Sequence, residues 1–118
     1  MKMTGQTPIT VESLGIEVAD IDDRTVVRLR GELDAATAPR LYATFSELSR
    51  RGVARVDLDL STLEFMDSTG LSVVVAEHKR TSDDGGGLVI LSPSRRVIRL
   101  FQISGLMSYL VVEPKMSV

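Results

Sequence analysis

Hydrophobic and polar positions alternate in two registers along this chain, and the switches between them mark its elements. Ile16–Ile21 and Thr25–Arg30 carry the two-residue period of strands. Asp22-Asp23-Arg24 between them reads as a tight turn, so the pair predicts a hairpin. Val27 and Leu29 then face inward, and Arg28 and Arg30 face water. After Gly31-Glu32-Leu33-Asp34 the period lengthens. Thr37 is a capping residue and Pro39 suits a first turn, so a helix is predicted from there. Ala38, Leu41, Tyr42, Phe45 and Leu48 form its apolar stripe, Arg40, Thr44, Glu47 and Arg51 its wet side, and Gly52 its end.

Val53–Leu60 returns to alternation, with Val56, Leu58 and Leu60 on one face and Arg55, Asp57 and Asp59 on the other. Leu63-Glu64-Phe65-Met66 reads as a loop. Leu71, Val74, Val75 and His78 fall at i, i+3, i+4 and i+7 of a second helix, whose polar end is Glu77, Lys79 and Arg80. Val73-Val74-Val75 weakens helix propensity. A strand there would nevertheless follow Val53–Leu60 through too short a connection for a parallel crossover. Asp83–Gly87 is a flexible turn, and Leu88–Leu91 a strand covered on both faces. Ser92-Pro93-Ser94 opens a third helix packed through Val97, Ile98 and Phe101, with Leu100 as a further candidate. Gly105 follows its end, and Tyr109–Val112 is a last strand. The order β-β-α-β-α-β-α-β predicts an α/β domain with a mixed sheet.

A length of 118 residues accommodates one domain, with enough core to fold without metal or disulfide. The net charge of -2 argues against a phosphate-tracking surface, so no direct nucleic-acid contact is expected. The chain has no cysteine, which removes disulfides, thiolate metal sites and cysteine nucleophiles and fits the cytoplasm. Lys2 has no apolar run behind it, so no signal peptide is expected. Apolar stretches such as Leu88–Leu91 are too short to span a membrane.

The candidate chemistry gathers at Met66-Asp67-Ser68-Thr69-Gly70-Leu71, where a hydroxyl meets a carboxylate and a glycine at the start of a helix. Asp67, Ser68 or Thr69 can cap that helix, and spacing alone favours a cap. The same place tolerates a phosphate, because a helix N-terminus is its positive end. Spacing leaves Ser68 and Thr69 both open as acceptors. Gly70 weakens a first turn by roughly 1 kcal/mol against alanine, so the backbone must come close there to the core or to a partner. Asp57, Asp59, Glu64 and Asp67 read as the wet side of a strand and a loop, not as an acid–base pair. His78, the single histidine, reads as a satisfied half-buried side chain. No metal or cofactor site is expected. Ser68 lacks the G-x-S-x-G elbow of a hydrolase, and Gly85-Gly86-Gly87 matches no phosphate loop. Arg95, Arg96 and Arg99 read as a solvated helix face.

Three elements in this order carry a family resemblance: Gly31-Glu32-Leu33-Asp34, Met66-Asp67-Ser68-Thr69-Gly70-Leu71, and Ser92-Pro93 followed by Arg99-Leu100-Phe101 and Ser104-Gly105-Leu106. From about Leu14 to Val112 they resemble the STAS domain, specifically the stand-alone bacterial anti-sigma factor antagonists. Residues 1–13 are polar and irregular and predict a flexible lead-in; the resemblance implies a domain 14–113 with four to five strands and helices mainly on one side, which leaves a tail 114–118. It implies a non-enzymatic cytoplasmic protein, and with no heptad or large exposed stripe in the sequence a monomer is expected when free. Such a protein binds an anti-sigma factor, a serine kinase with a GHKL-type ATP site, and so releases a sigma factor in a stress response. The kinase then phosphorylates Ser68 and the complex parts. A PP2C-type serine phosphatase restores the active form. Asp34, Asp67, Ser68, Thr69, Gly70 and Leu71 would form the partner surface. A STAS scaffold or sensor in a signalling or transporter-associated assembly is the alternative, with a Ser68 hydrolase behind it.

Overall fold

The first two apolar runs form the predicted hairpin, with a sharper corner. In the computed structural model, which describes residues 13–113, β1 (Leu14–Ile21) pairs antiparallel with β2 (Arg24–Leu33) from Leu14↔Gly31 to Ile21↔Arg24. Arg24 therefore belongs to β2, and the turn is Asp22-Asp23 alone. Asp22 takes φ 56°, a left-handed conformation that aspartate tolerates better than most residues.

The rest follows as α1 (Ala38–Arg50), β3 (Arg55–Met66), α2 (Ser68–Asp83), β4 (Gly87–Leu91), α3 (Arg95–Ile103) and β5 (Val111–Glu113). Strand order equals chain order, and β2 to β5 run parallel. Each helix is thus a crossover to the next strand in one direction, and right-handed crossovers of that kind place their helices on one face. Val27, Leu58 and Ile90 lie in register across three strands of that face and are fully buried. Arg28 and Arg30 point to the other, open face and are exposed. This is the expected α/β architecture, a mixed five-stranded sheet. The lead-in and tail expected at the two ends fall mainly on residues 1–12 and 114–118, outside the described residues. No helix among the described residues is long and apolar enough to cross a membrane.

Several details depart from the pattern reading. β3 does not stop at Leu60 but continues through the expected loop to Met66. Its pairing with β2 goes from Arg28↔Asp59 to Arg30↔Thr62, and from Gly31↔Leu63 to Glu32↔Phe65. Each step inserts one extra residue on β3, and each reverses which parity faces inward. The buried series therefore runs Leu58, Leu60, Leu63, Met66. β4 is closed on one face only, since Val89 and Leu91 are half-buried. β5 starts two residues late, with Leu110 buried and Tyr109 exposed.

The helices also turn slightly from expectation. Tyr42 is 61% exposed, because the α1 stripe of Ala38, Leu41, Phe45 and Leu48 leaves position 42 to one side. α2 buries Gly70, Leu71, Val74, Glu77 and Thr81, so its inner line runs through Glu77, while Val75 and His78 are half-buried. Glu77 tolerates 4% exposure because both carboxylate oxygens accept from Arg80, at 3.0 and 2.6 Å. In α3, Val97 and Phe101 are buried, and Ile98 and Leu100 only partly so.

Candidate functional site

The last pair of the β2–β3 ladder is Leu33↔Met66. The next residues are Asp34 and Asp67, so the ladder itself delivers two carboxylates side by side at the carboxyl ends of neighbouring strands. Strands of one sheet lie about 4.8 Å apart. The junction is tied once more by Asp67 N donating to Leu33 O at 3.1 Å.

Asp67 is the residue that caps α2. Its backbone is extended at φ -108° and ψ -174°, and its Oδ1 accepts from Gly70 N at 3.0 Å. Ser68 is consequently the first helical residue. Ser68 and Thr69 are exposed, at the end of the helix whose first amides have no partner within the helix.

Gly70 shows why α2 begins here. A Cβ on it would stand 2.5 Å from Leu33 Cγ, 2.8 Å from Leu33 Cδ2 and 3.0 Å from Leu33 O. The absence of a side chain lets the first turn of α2 rest on the end of β2. It is thus the core, not a partner, that comes close to this glycine. Leu71, 5% exposed, belongs to the same core. Of the six expected surface residues, Ser68 and Thr69 are exposed and Asp34 and Asp67 half-buried, whereas Gly70 and Leu71 support them from beneath.

Asp34 sits in a fixed loop. Its Oδ1 accepts from Ala36 N at 3.0 Å and Thr37 N at 3.1 Å. Thr37 occupies the cap position of α1, but its hydroxyl makes no cap bond. Instead it donates to Glu32 O at 2.9 Å and accepts from Asp34 N at 2.9 Å. Thr37, 5% exposed, is the residue that the pattern reading assigned only to capping and that in fact braces Asp34. The D-x-x-T spacing of Asp34 and Thr37 was the available signal. Gly31 completes the loop's base: its φ is +92°, and a Cβ there would meet Ser13 O at 2.3 Å.

The other candidates disperse. Asp57 pairs with Arg24 at 2.9 Å and Asp59 with Arg28 at 3.0 Å, both on the open sheet face and away from Asp67. Burial pushes the Asp59 carboxyl up, but hydrogen bonds from Ser61 and the Arg28 guanidinium outweigh it and hold it below its ordinary value. Among the described residues no three His, Asp or Glu side chains converge as metal ligands. His78 packs edge-on against Tyr109, ring centroids 4.6 Å apart, yet its buried Nδ1 has no partner, so it is less satisfied than expected. Arg95, Arg96 and Arg99 are exposed on α3.

Comparison with known proteins fits this geometry. The anti-sigma-B factor antagonist of Staphylococcus epidermidis is 37% identical over 94 residues, which cover 80% of this chain and 87% of that one. An anti-sigma factor antagonist from Mycobacterium paratuberculosis superposes with a TM-score of 0.79 at 26% identity, covering 88% of each chain. The Bacillus cell fate determinant SpoIIAA is also similar at 26% identity. Its unphosphorylated form superposes with a TM-score of 0.73 over 86% of this chain and 90% of that one. Its phosphorylated form gives 0.69 over 86% and 93%. The STAS domain model matches residues 15–117, so the two-carboxylate corner and its helix-start serine stand on a chain that belongs to the STAS domain family.

Proposed function

We propose that this chain is an anti-sigma factor antagonist: a regulatory binding protein without catalysis of its own, controlled by phosphorylation of Ser68. The observation that carries the reading is the exposed Ser68 at the first position of α2, capped by Asp67 and beside Asp34, on a chain similar to such antagonists.

In this reading the anti-sigma factor is a GHKL-type serine kinase of the cytoplasm. It docks on Asp34, Asp67, Ser68 and Thr69, with Gly70 and Leu71 shaping that surface from below, and its sigma factor is released. The kinase then transfers the γ-phosphoryl group of ATP to Ser68 Oγ. The hydroxyl proton is lost, the bond to the β-phosphate breaks and ADP leaves. A PP2C-type phosphatase hydrolyses the ester with water and returns the serine.

The energetics suit a switch. The phosphate adds about -1.5 to -2 charges at neutral pH. The α2 N-terminus offsets part of this by roughly 0.3–1 kcal/mol, so the domain stays folded. The penalty falls on the complex, where like charges facing each other cost several kcal/mol. A loss of about 3 kcal/mol weakens binding roughly 100-fold.

The test is a pull-down from host lysate with wild-type and Ser68→Glu baits. Wild type is expected to retain a GHKL-type kinase and Ser68→Glu to lose it. If both baits hold the same partners, Ser68 is not the switch and a phosphate-independent scaffold role replaces it.

A further inference from the structure

The outer face of α3 carries a charge pattern that the fold does not explain. Arg24, Arg28, Arg50, Arg51, Arg55 and Arg80 each pair with a carboxylate and Arg40 donates to Leu14 O at 2.6 Å, while Arg30, on the open sheet face, has no carboxylate partner among the described residues. Arg95, Arg96 and Arg99 are exposed, and none of the ion pairs among the described residues includes them. Spaced four and three apart, Arg95, Arg96 and Arg99 share one side of the helix. Helix physics opposes the arrangement twice. Like charges at these spacings repel, and cations in a first turn meet the positive end of the helix. The first turn of α3 holds no acidic residue to offset them.

The same stripe continues into an apolar residue. Ile103 lies four residues past Arg99 and is 77% exposed, more than any other large hydrophobic side chain among the described residues. Val97 and Phe101, on the opposite side, fix α3 to the core, and the helix packs against β3. The outward stripe is therefore held rigidly: three guanidinium groups with no carboxylate partner among the described residues, and one aliphatic anchor. Arginine beside an exposed apolar anchor is a composition enriched in protein interfaces. A single-stranded nucleic-acid platform would instead interleave aromatic rings, and this stripe has none.

The geometry points to this α3 face as a second docking surface, for a protein face that carries carboxylates around an apolar notch. Resting on the antagonist reading above, it assigns that partner face to the anti-sigma factor. β2, β3 and β4 are parallel, so α3 starts at the same end of the sheet as α2 and Ser68. A protein seated over Ser68 approaches from the end at which the arginines begin. The arginines act on encounter, since charges at an interface rim govern association rate and its salt dependence. Ile103 acts on residence.

Association and dissociation are measured with the purified anti-sigma factor, at about 50 mM and about 500 mM salt, where screening lengths differ roughly threefold. The baits are wild type, the combined Arg95→Gln, Arg96→Gln, Arg99→Gln variant, Ile103→Ser, and Ser68→Glu. The arginine variant is expected to associate about 10-fold more slowly at low salt, with the gap closing at high salt. Ile103→Ser is expected to dissociate about 5-fold faster. Ile103→Ser should melt with wild type because its side chain is exposed, and the arginine variant should melt no lower than wild type because the charges it removes oppose the helix. If Ser68→Glu abolishes binding while both α3 variants match wild type at both salts, the α3 surface is refuted and the antagonist reading stands. If wild type does not bind the anti-sigma factor at all, both fall. If the arginine variant instead loses affinity for random-sequence duplex DNA, the face serves nucleic acid and the assignment is wrong.

Discussion

Gly70→Ala sets two opposite forces against each other at one residue. Intrinsic propensity favours the change by about 1 kcal/mol, since alanine in a helix outranks glycine by that amount. Packing opposes it: the new methyl group would stand 2.5 Å from Leu33 Cγ and 3.0 Å from Leu33 O. Leu33 is fully buried, so it has no solvent to move into. Overpacking of this kind costs roughly 1–3 kcal/mol, which outweighs the propensity gain over most of its range. The expected net effect is a loss of about 1 kcal/mol. Urea unfolding gives the number, with an unchanged slope marking a true stability change. A cycle with Leu33→Ala isolates the cause. Removing the leucine branch costs about 2–5 kcal/mol alone. In that background Gly70→Ala should fall to near neutral or become stabilising, so the two changes couple by at least about 1 kcal/mol. A Gly70→Ala protein stabilised by about 1 kcal/mol in the wild-type background would refute the contact. Propensity alone would then describe the site, and the seat of α2 on β2 would have no role.

Three further outcomes follow from the geometry. Incubated with the anti-sigma kinase and ATP, Thr69→Ala should gain one phosphate as wild type does and Ser68→Ala none; tandem mass spectrometry reads the site, and phosphate on Thr69 would move the switch by one residue. Arg80→Ala should destabilise by about 3 kcal/mol, the lower end for breaking a buried pair because Arg80 is itself 21% exposed; chemical unfolding measures it, and a neutral result would mean that Glu77 needs no partner. Asp59 is held below its ordinary value in the fold, so its contribution is present above the unfolded value near ~3.9 and is lost as pH falls through the folded one. Asp59→Asn should flatten the acid limb of a stability–pH curve below about pH 4, and identical limbs would remove Asp59 from it.

Local periodicity made most elements legible. The hairpin and the α1 stripe depend on neighbours in sequence, and strict alternation or i+3/i+4 spacing reveals them. The far half of β3 was hidden because its two extra residues reverse the inward parity twice, so the eye sees polar and apolar positions in no fixed order. The rotation of α2 was hidden for a different reason: Glu77 reads as a wet residue until Arg80 is seen to satisfy both its oxygens. At the site, the hydroxyl beside a carboxylate at a helix start was visible in Asp67-Ser68-Thr69-Gly70. The division of labour among them was not. That Asp67 caps, and that Gly70 yields to Leu33 37 positions earlier, are facts of tertiary contact. Thr37 looks like a local cap in sequence for the same reason, since its brace to Glu32 and Asp34 appears only once the loop is closed.

β3 pairs with β4 only from Arg55 to Asp59, whereas its pairing with β2 continues to Met66. Ser68 therefore stands at the tip of a ledge, one strand pair wide, that projects past the middle of the sheet. Such a ledge has fewer hydrogen bonds to break than the three-strand centre, so its opening is a sub-global event with its own lower free energy. Amide exchange along β3 should record a gradient, slow at Val56–Leu58 and faster toward Phe65. A chemical change on the ledge can then alter how this end breathes while the sheet behind it keeps its register.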